Sequence, residues 1–117
     1  MGFKFENLEV WNKAMDLCYN IHQLTQKFPK EEMYVLTSQI KRAADSIVLN
    51  IAEGSTGQSN ATFKQFLSYS IRSGIETVAC LHIGRKRGLL NQEEFNSLYE
   101  DLETIIKMLH GLRKSLK

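Results

Sequence analysis

The side chains of this sequence that could carry chemistry are few and scattered. Its three histidines, His22, His82 and His110, fall on three separate helical segments. None is followed by a companion ligand three or four residues on, the spacing that puts two donors on one helix face. A di-metal helical bundle uses a Glu-x-x-His on each of two helices, and no Glu-x-x-His occurs here. Neither HExxH nor a glycine-rich phosphate loop is present. Cys18 and Cys80 are the only cysteines and make no CxxC pair. A thiol nucleophile needs a polarising partner. Cys18 instead sits on an apolar stripe, which reads as a buried, inert thiol. The expectation is therefore a protein that is not an enzyme, with no catalytic residue, no metal ligand and no cofactor.

The cations are more informative. Lys41 and Arg42 lie in the middle of the second helical segment. Arg72, Arg85, Lys86 and Arg87 lie on the third, and Lys107, Arg113, Lys114 and Lys117 on the fourth. Arg85, Lys86 and Arg87 close the third helix, where cations complement the helix dipole. The same residues could instead contact phosphates, with an affinity that falls as salt rises. Both readings stand on the sequence. No aromatic platform for stacking unpaired bases is evident. Ser46 and Asn50, one turn apart, lie beside the buried stripe of the second helix. A buried Asn must be hydrogen-bonded, through a structural bond across the bundle or a contact at a subunit interface.

Four helical segments must position these groups. Val10, Ala14, Leu17, Ile21, Leu24 and Phe28 recur at alternating spacings of four and three, the seam of a bundle helix. This first helix is expected from about Leu8 to Lys27, capped by Asn7, with Trp11, Met15 and Cys18 widening its buried stripe and Pro29 ending it. The second runs from about Glu32, or from a cap at Thr37, to Glu53, with Leu36, Ile40, Ala43, Ile47 and Ile51 inward. Gly54 would close it in the left-handed conformation. The third spans Asn60 to Arg87, capped by Ser59 or Asn60 and closed by Gly88. The fourth starts at Asn91, with Glu94 three residues on as in a capping box. Its seam runs through Phe95, Leu98, Leu102, Ile105, Leu109, Leu112 and Leu116. Short connections make consecutive helices antiparallel neighbours. The predicted fold is a single all-α domain over residues 1–117, an antiparallel up-down-up-down four-helix bundle.

Composition agrees. A chain of 117 residues with 43% hydrophobic and 24% charged side chains can bury a core without disulfides. One proline in that length leaves most of it free to be helical. A net charge of +2 is too small to imply nucleic-acid binding by itself, although the excess lies in the second half. The start, MGFKFENLEV, has no apolar signal region, and no run approaches the length of a membrane span. A cytoplasmic location is the expectation.

The stretch from Leu36 to Gly54, LTSQIKRAADSIVLNIAEG, resembles the signature of one family. These are the bacterial four-helix bundle proteins encoded in intervening sequences of 23S rRNA genes, also called S23-type ribosomal proteins. Leu8, Val10, Trp11, Lys13 and Ala14 resemble its first helix. Leu24, Thr25, Phe28, Pro29 and Glu32 continue the likeness, and Phe63, Phe66, Leu67, Glu76 and Gly88 fit its third. The sequence departs from the pattern at Val35 (usually Gly), Val48 (usually Pro), Arg72 (commonly Gly) and Val78 (commonly Glu). The family is similar to the accessory variability protein of diversity-generating retroelements, a pentameric bundle that engages a reverse transcriptase and nucleic acid through basic surfaces. The resemblance implies a homo-oligomer, a homopentameric ring, that binds structured RNA or DNA. Lys41, Arg42, Arg72, Arg85, Lys86 and Arg87 are the candidate nucleic-acid-binding residues. The alternative it leaves open is a ring-shaped scaffold for a protein partner, with no direct nucleic-acid role.

Overall fold

The computed structural model describes residues 2–117. It is all helical, with four helices in a body 44 × 23 × 21 Å. They are α1 (Glu9–Thr25), α2 (Leu36–Gly54), α3 (Asn60–Lys86) and α4 (Gln92–Ser115). Two single 3-10 turns, Lys4–Asn7 and Lys30–Glu32, precede α1 and α2. α3 at 1.5 Å per residue measures ~40 Å and sets the length of the molecule. Each helix packs against the next, and α1 closes the square against α4. The α2–α3 pair is the most extensive contact and the α1–α4 pair the thinnest.

The core is the set of seams read from the sequence. Leu17, Ile21, Ile40, Ile47, Ile51, Leu67, Leu81, Leu102, Ile105 and Leu109 are almost completely buried. Fully burying each such side chain is worth about 1.5–3 kcal/mol. Small residues let α2 and α3 approach closely. A Cβ built on Gly54 would lie 2.6 Å from Phe66 Cβ. Ser70, fully buried, donates from its hydroxyl to the Ile47 carbonyl at 2.9 Å. Asn50 donates to the Ser46 carbonyl at 2.8 Å and to its hydroxyl at 2.9 Å. Ser73 donates to the same hydroxyl at 2.9 Å. The Ser46–Asn50 pair is thus a structural link from α2 to α3.

The helix ends divide by how local their signals are. Ser59 Oγ accepts from the Thr62 amide at 3.1 Å. Asn91 and Glu94 form a reciprocal capping box, both bonds at 2.8 Å. Gly88 has φ 74°, and Leu89 donates back to the Gly84 carbonyl at 2.9 Å, which closes α3 in a Schellman turn. Three expectations need correction. Asn7 does not cap α1; it belongs to the preceding 3-10 turn, and Leu8 occupies the cap with no side-chain bond. α2 starts at Leu36, and neither Glu32 nor Thr37 begins it. Glu32 still serves the start, since its carboxylate accepts the Leu36 amide at 3.4 Å. Gly54 is the last residue of α2 and lacks a positive φ. Its missing side chain admits Phe66 rather than a left-handed turn.

The α4 capping box carries a pH signature. Lys27 Nζ reaches the Glu94 carboxylate at 2.6 Å. That contact, followed by the Asn91 amide, holds the Glu94 carboxyl below its ordinary range. A depressed carboxylate stabilises the fold above the ordinary carboxylate pKa and loses that contribution as pH falls through the lowered value. Both partners are partly exposed, so the pair and its cap together are worth about 1 kcal/mol. In thermal melts the deficit of Glu94→Gln relative to the native chain should be full at pH 7 and shrink below about pH 4. A deficit independent of pH would show that the charge of Glu94 contributes nothing.

Candidate nucleic-acid interface

The four sides of the bundle differ in chemistry. The α1–α4 side is the most polar, with Asn20, Gln23, Lys27, Glu93, Glu94 and Ser97 around Leu24 and Leu98, and farther along Lys13, Asp16, Asp101 and Thr104 over Leu17 and Ile105. The other three sides expose apolar groups. Between α1 and α2, Met15, Tyr19 and Leu49 border a groove of ≈ 480 Å³, with Tyr19 64% and Leu49 60% exposed. Met15 therefore does not join the buried stripe expected for α1, and Trp11 and Cys18 are only half-buried. Ala79, Ile83 and Val35 line the α2–α3 side. Ile75, Val78, Tyr99 and Ile106 line the α3–α4 side, beside Lys107 and Glu103.

The six candidate cations are not gathered on one face. Consecutive helical residues point about 100° apart, so Lys41 and Arg42 diverge; Lys41 is half-buried and Arg42 exposed. Arg72 is exposed in the middle of α3, ~20 Å along the helix from Arg85. The terminal cluster fans out as well. Arg87 turns to Glu32, with Nη1 3.0 and 3.2 Å from its two carboxylate oxygens. Arg85 turns to Gln92 of α4 at 3.4 Å, and Lys86 is exposed. Of the three, Arg87 pins the turn before α2 to the end of α3. Among the described residues only Lys27–Glu94 and Arg87–Glu32 form ion pairs. Lys41, Arg42, Arg72 and Lys86 have no carboxylate partner there.

Sequence reading missed an aromatic group at the opposite end of the bundle. The turn Lys4–Asn7 folds Phe3 onto Phe5, ring centroids 5.9 Å apart and nearly parallel. Phe5 in turn sits edge-on to Trp11 at 4.9 Å. Glu6 fixes this turn by accepting the Phe3 amide at 2.6 Å, and Asn12 holds it from α1 by donating to the Glu6 carbonyl at 3.1 Å. Lys4 Nζ lies 5.5 Å from the centroid of Phe63, in the first turn of α3. At the same end Arg113, near the end of α4, donates to Ser68 of α3 at 2.8 Å. Residues 3, 5, 11 and 63 are too far apart in sequence for periodicity to reveal the grouping. The only legible trace was two phenylalanines flanking a lysine at the start.

The thiols are held neutral. Cys18 donates from Sγ to the Ala44 carbonyl at 3.0 Å. Burial, then the nearby Asp45 charge, pushes its pKa up to about 12. Burial and Glu76 raise Cys80 in the same direction. Among the described residues no three His, Cys, Asp or Glu side chains gather closely enough to hold a metal ion, and no helix is long and apolar enough to cross a membrane.

Comparison with known proteins places the fold. The chain is similar to the crystal structure of a protein of unknown function from the S23 ribosomal protein family of Bacteroides thetaiotaomicron. The TM-score is 0.81 at 25% identity, over 91% of this chain and 99% of that one. No curated protein matches. The family profile described as 23S rRNA-intervening sequence protein matches residues 6–111, which takes in all of α1, α2 and α3 and most of α4. The chain belongs to the 23S rRNA-intervening sequence protein family.

Proposed function

We propose that this protein is a non-enzymatic homo-oligomer that binds structured RNA or DNA through cations on its surface. One observation carries the reading. Three sides of the bundle present apolar side chains to solvent, the α3–α4 side next to Lys107, while the fourth side is more polar, and Lys41, Arg42, Arg72 and Lys86 have no ion partner among the described residues. Exposed apolar patches of this kind mark contact surfaces. Because the patches lie on different sides, copies would meet head-to-tail, and head-to-tail contacts close into a ring where the rotation between copies closes. The homopentameric ring implied by the family likeness is such an assembly. It would also repeat Lys41, Arg42, Arg72 and Lys86 once per subunit, so that cations dispersed on one bundle form a belt on the ring.

The test pairs light scattering with binding of a fluorescent RNA hairpin across salt concentrations. The ring should appear at about five times the chain mass. Binding should weaken steeply with salt, each phosphate contact adding ~0.9 to the log–log slope. Replacing Lys41, Arg42, Arg72 and Lys86 with alanine should flatten that slope by about 3.6. An unchanged slope removes these residues from the interface, and a monomer that ignores RNA removes the reading. The scaffold alternative has its own observation. Met33, Tyr34 and Val35 stand exposed in a row between α1 and α2, with Tyr34 89% accessible, which suits a protein partner. Retention of a partner after nuclease treatment would favour it.

A further inference from the structure

The end of the bundle opposite Arg85–Arg87 combines an open aromatic ring with unneutralised charge. Phe3 is 71% exposed and lies parallel to Phe5, so one face of its ring is covered and the other is free. A large apolar ring left in water at a structured position is unfavourable unless something covers it. The turn that presents it is well fixed, by the Glu6 carboxylate and by the Phe5–Trp11 contact. The charge around it decides what covers it. Lys4 shares the turn with Phe3, Lys64 follows Phe63, and Arg113 and Lys114 close α4 at the same end. None of these cations forms an ion pair among the described residues. Arg113 meets Ser68 Oγ at 2.8 Å and His110 Nδ1 at 3.0 Å and no carboxylate, so its position is set while no acid compensates its charge. At the other end, Lys27 and Arg87 are each matched by a glutamate.

From this juxtaposition we infer that the Phe3 platform binds an unpaired segment of a polynucleotide. One base stacks on the free face of Phe3, and the flanking phosphates are met by Lys4, Lys64, Arg113 and Lys114. The chemistry suits unpaired strands in particular. A base must be free of its duplex to offer its face to a side chain, and an aromatic ring accepts any base. The Glu6 carboxylate is taken up by the Phe3 amide, and a protein partner or a second copy would meet, at the same end, four cations that it would have to neutralise. The inference deepens the proposed function and rests on it, by naming unpaired strands as the ligand of one particular end. It adds a second contact distinct from the belt around Arg42 and Arg72.

The test measures fluorescence anisotropy with a labelled 15-nucleotide oligouridylate, its deoxy counterpart and a blunt hairpin duplex closed by a base-free linker, each at low salt, with the full chain. Phe3→Ala should weaken both unpaired probes about tenfold and leave the hairpin unchanged. Phe3→Tyr, which keeps a stacking face, should restore them. Trp11 is the only tryptophan and touches Phe5, so its emission should change with the unpaired probes and not with the hairpin. Equal ribo and deoxy effects would fit stacking alone; a loss confined to one would assign the site to that sugar. The inference is overturned if Phe3→Ala binds all probes as the native chain does, or loses them all equally. It is also overturned if Phe3→Ala lowers the mass in light scattering, for then the ring covers a second copy. Failure of every probe to bind the native chain would overturn the proposed function along with it.

Discussion

Replacing Gly54 with alanine is expected to destabilise the protein, while the same replacement at Gly111 stabilises it. Both glycines lie within helices, where alanine is ordinarily favoured by about 1 kcal/mol. At Gly111 nothing lies within 4 Å of an added Cβ, so the intrinsic preference should be realised in full. At Gly54 the new atom would sit 2.6 Å from Phe66 Cβ and 3.0 Å from Phe63 Cδ1. The Cβ of Phe66 is fixed to its backbone and cannot swing away, so α2 and α3 must separate locally. Overpacking of this kind costs about 1–3 kcal/mol, more than the helical preference returns. A domain of this size shifts in melting temperature by roughly 5 °C per kcal/mol. The two variants should therefore straddle the native chain and differ by about 10 °C in calorimetry. If both melt higher, the close approach of the two helices at Gly54 is wrong.

Alkylation should barely touch either cysteine in the folded protein. Only the thiolate reacts. With its pKa pushed from the ordinary 9.0 up to about 12, Cys18 at pH 8 is ionised about one time in ten thousand, against about one in ten for an ordinary thiol. Its alkylation by iodoacetamide should thus run about a thousandfold slower in the native chain than in urea. Cys80 is more deeply buried and is pushed in the same direction, so it should lag as well. Labelling read by intact mass checks both. Because a raised thiol pKa stabilises the neutral form, stability should fall as pH climbs from about 9 toward 12. Rapid modification of one site at pH 8 would mean an accessible thiolate there, and with it a nucleophile that the helix pattern does not suggest.

Where the governing interaction is local, the residues were enough. The core seams depend on a three-four period, and Ser59, Asn91, Glu94 and Gly88 act within one turn of themselves. α1 and α2 begin differently, at Leu8 and Val35, which offer no capping side chain. Their starts depend on the 3-10 turns before them and on Glu32 reaching forward to the Leu36 amide, and no short motif announces that. Gly54 shows the same limit, since a glycine beside a loop reads as a left-handed closure while its neighbour across the helix pair is Phe66. The candidate site was the least legible part. Arg85, Lys86 and Arg87 are adjacent in sequence, yet the helix turns them toward α4, solvent and Glu32. Phe3, Phe5 and Trp11 form a group with Lys4 and Phe63 that only the closed bundle assembles.

The unequal sides of the bundle bear on how the chain reaches its fold. α2 and α3 are joined by a short loop, share the largest contact, and are fastened by Gly54, Ser70 and the Ser46–Ser73 bond. Their pairing closes a small loop, so its entropy cost is low. α1 and α4 come together last in sequence separation, across a seam lined with water-loving groups that gains little by being shut. A fluctuation that opens the molecule would part that seam first and leave the α2–α3 hairpin standing. All four helices share one core, yet the boundary that should open most readily is the thin α1–α4 seam, the most polar of the four sides.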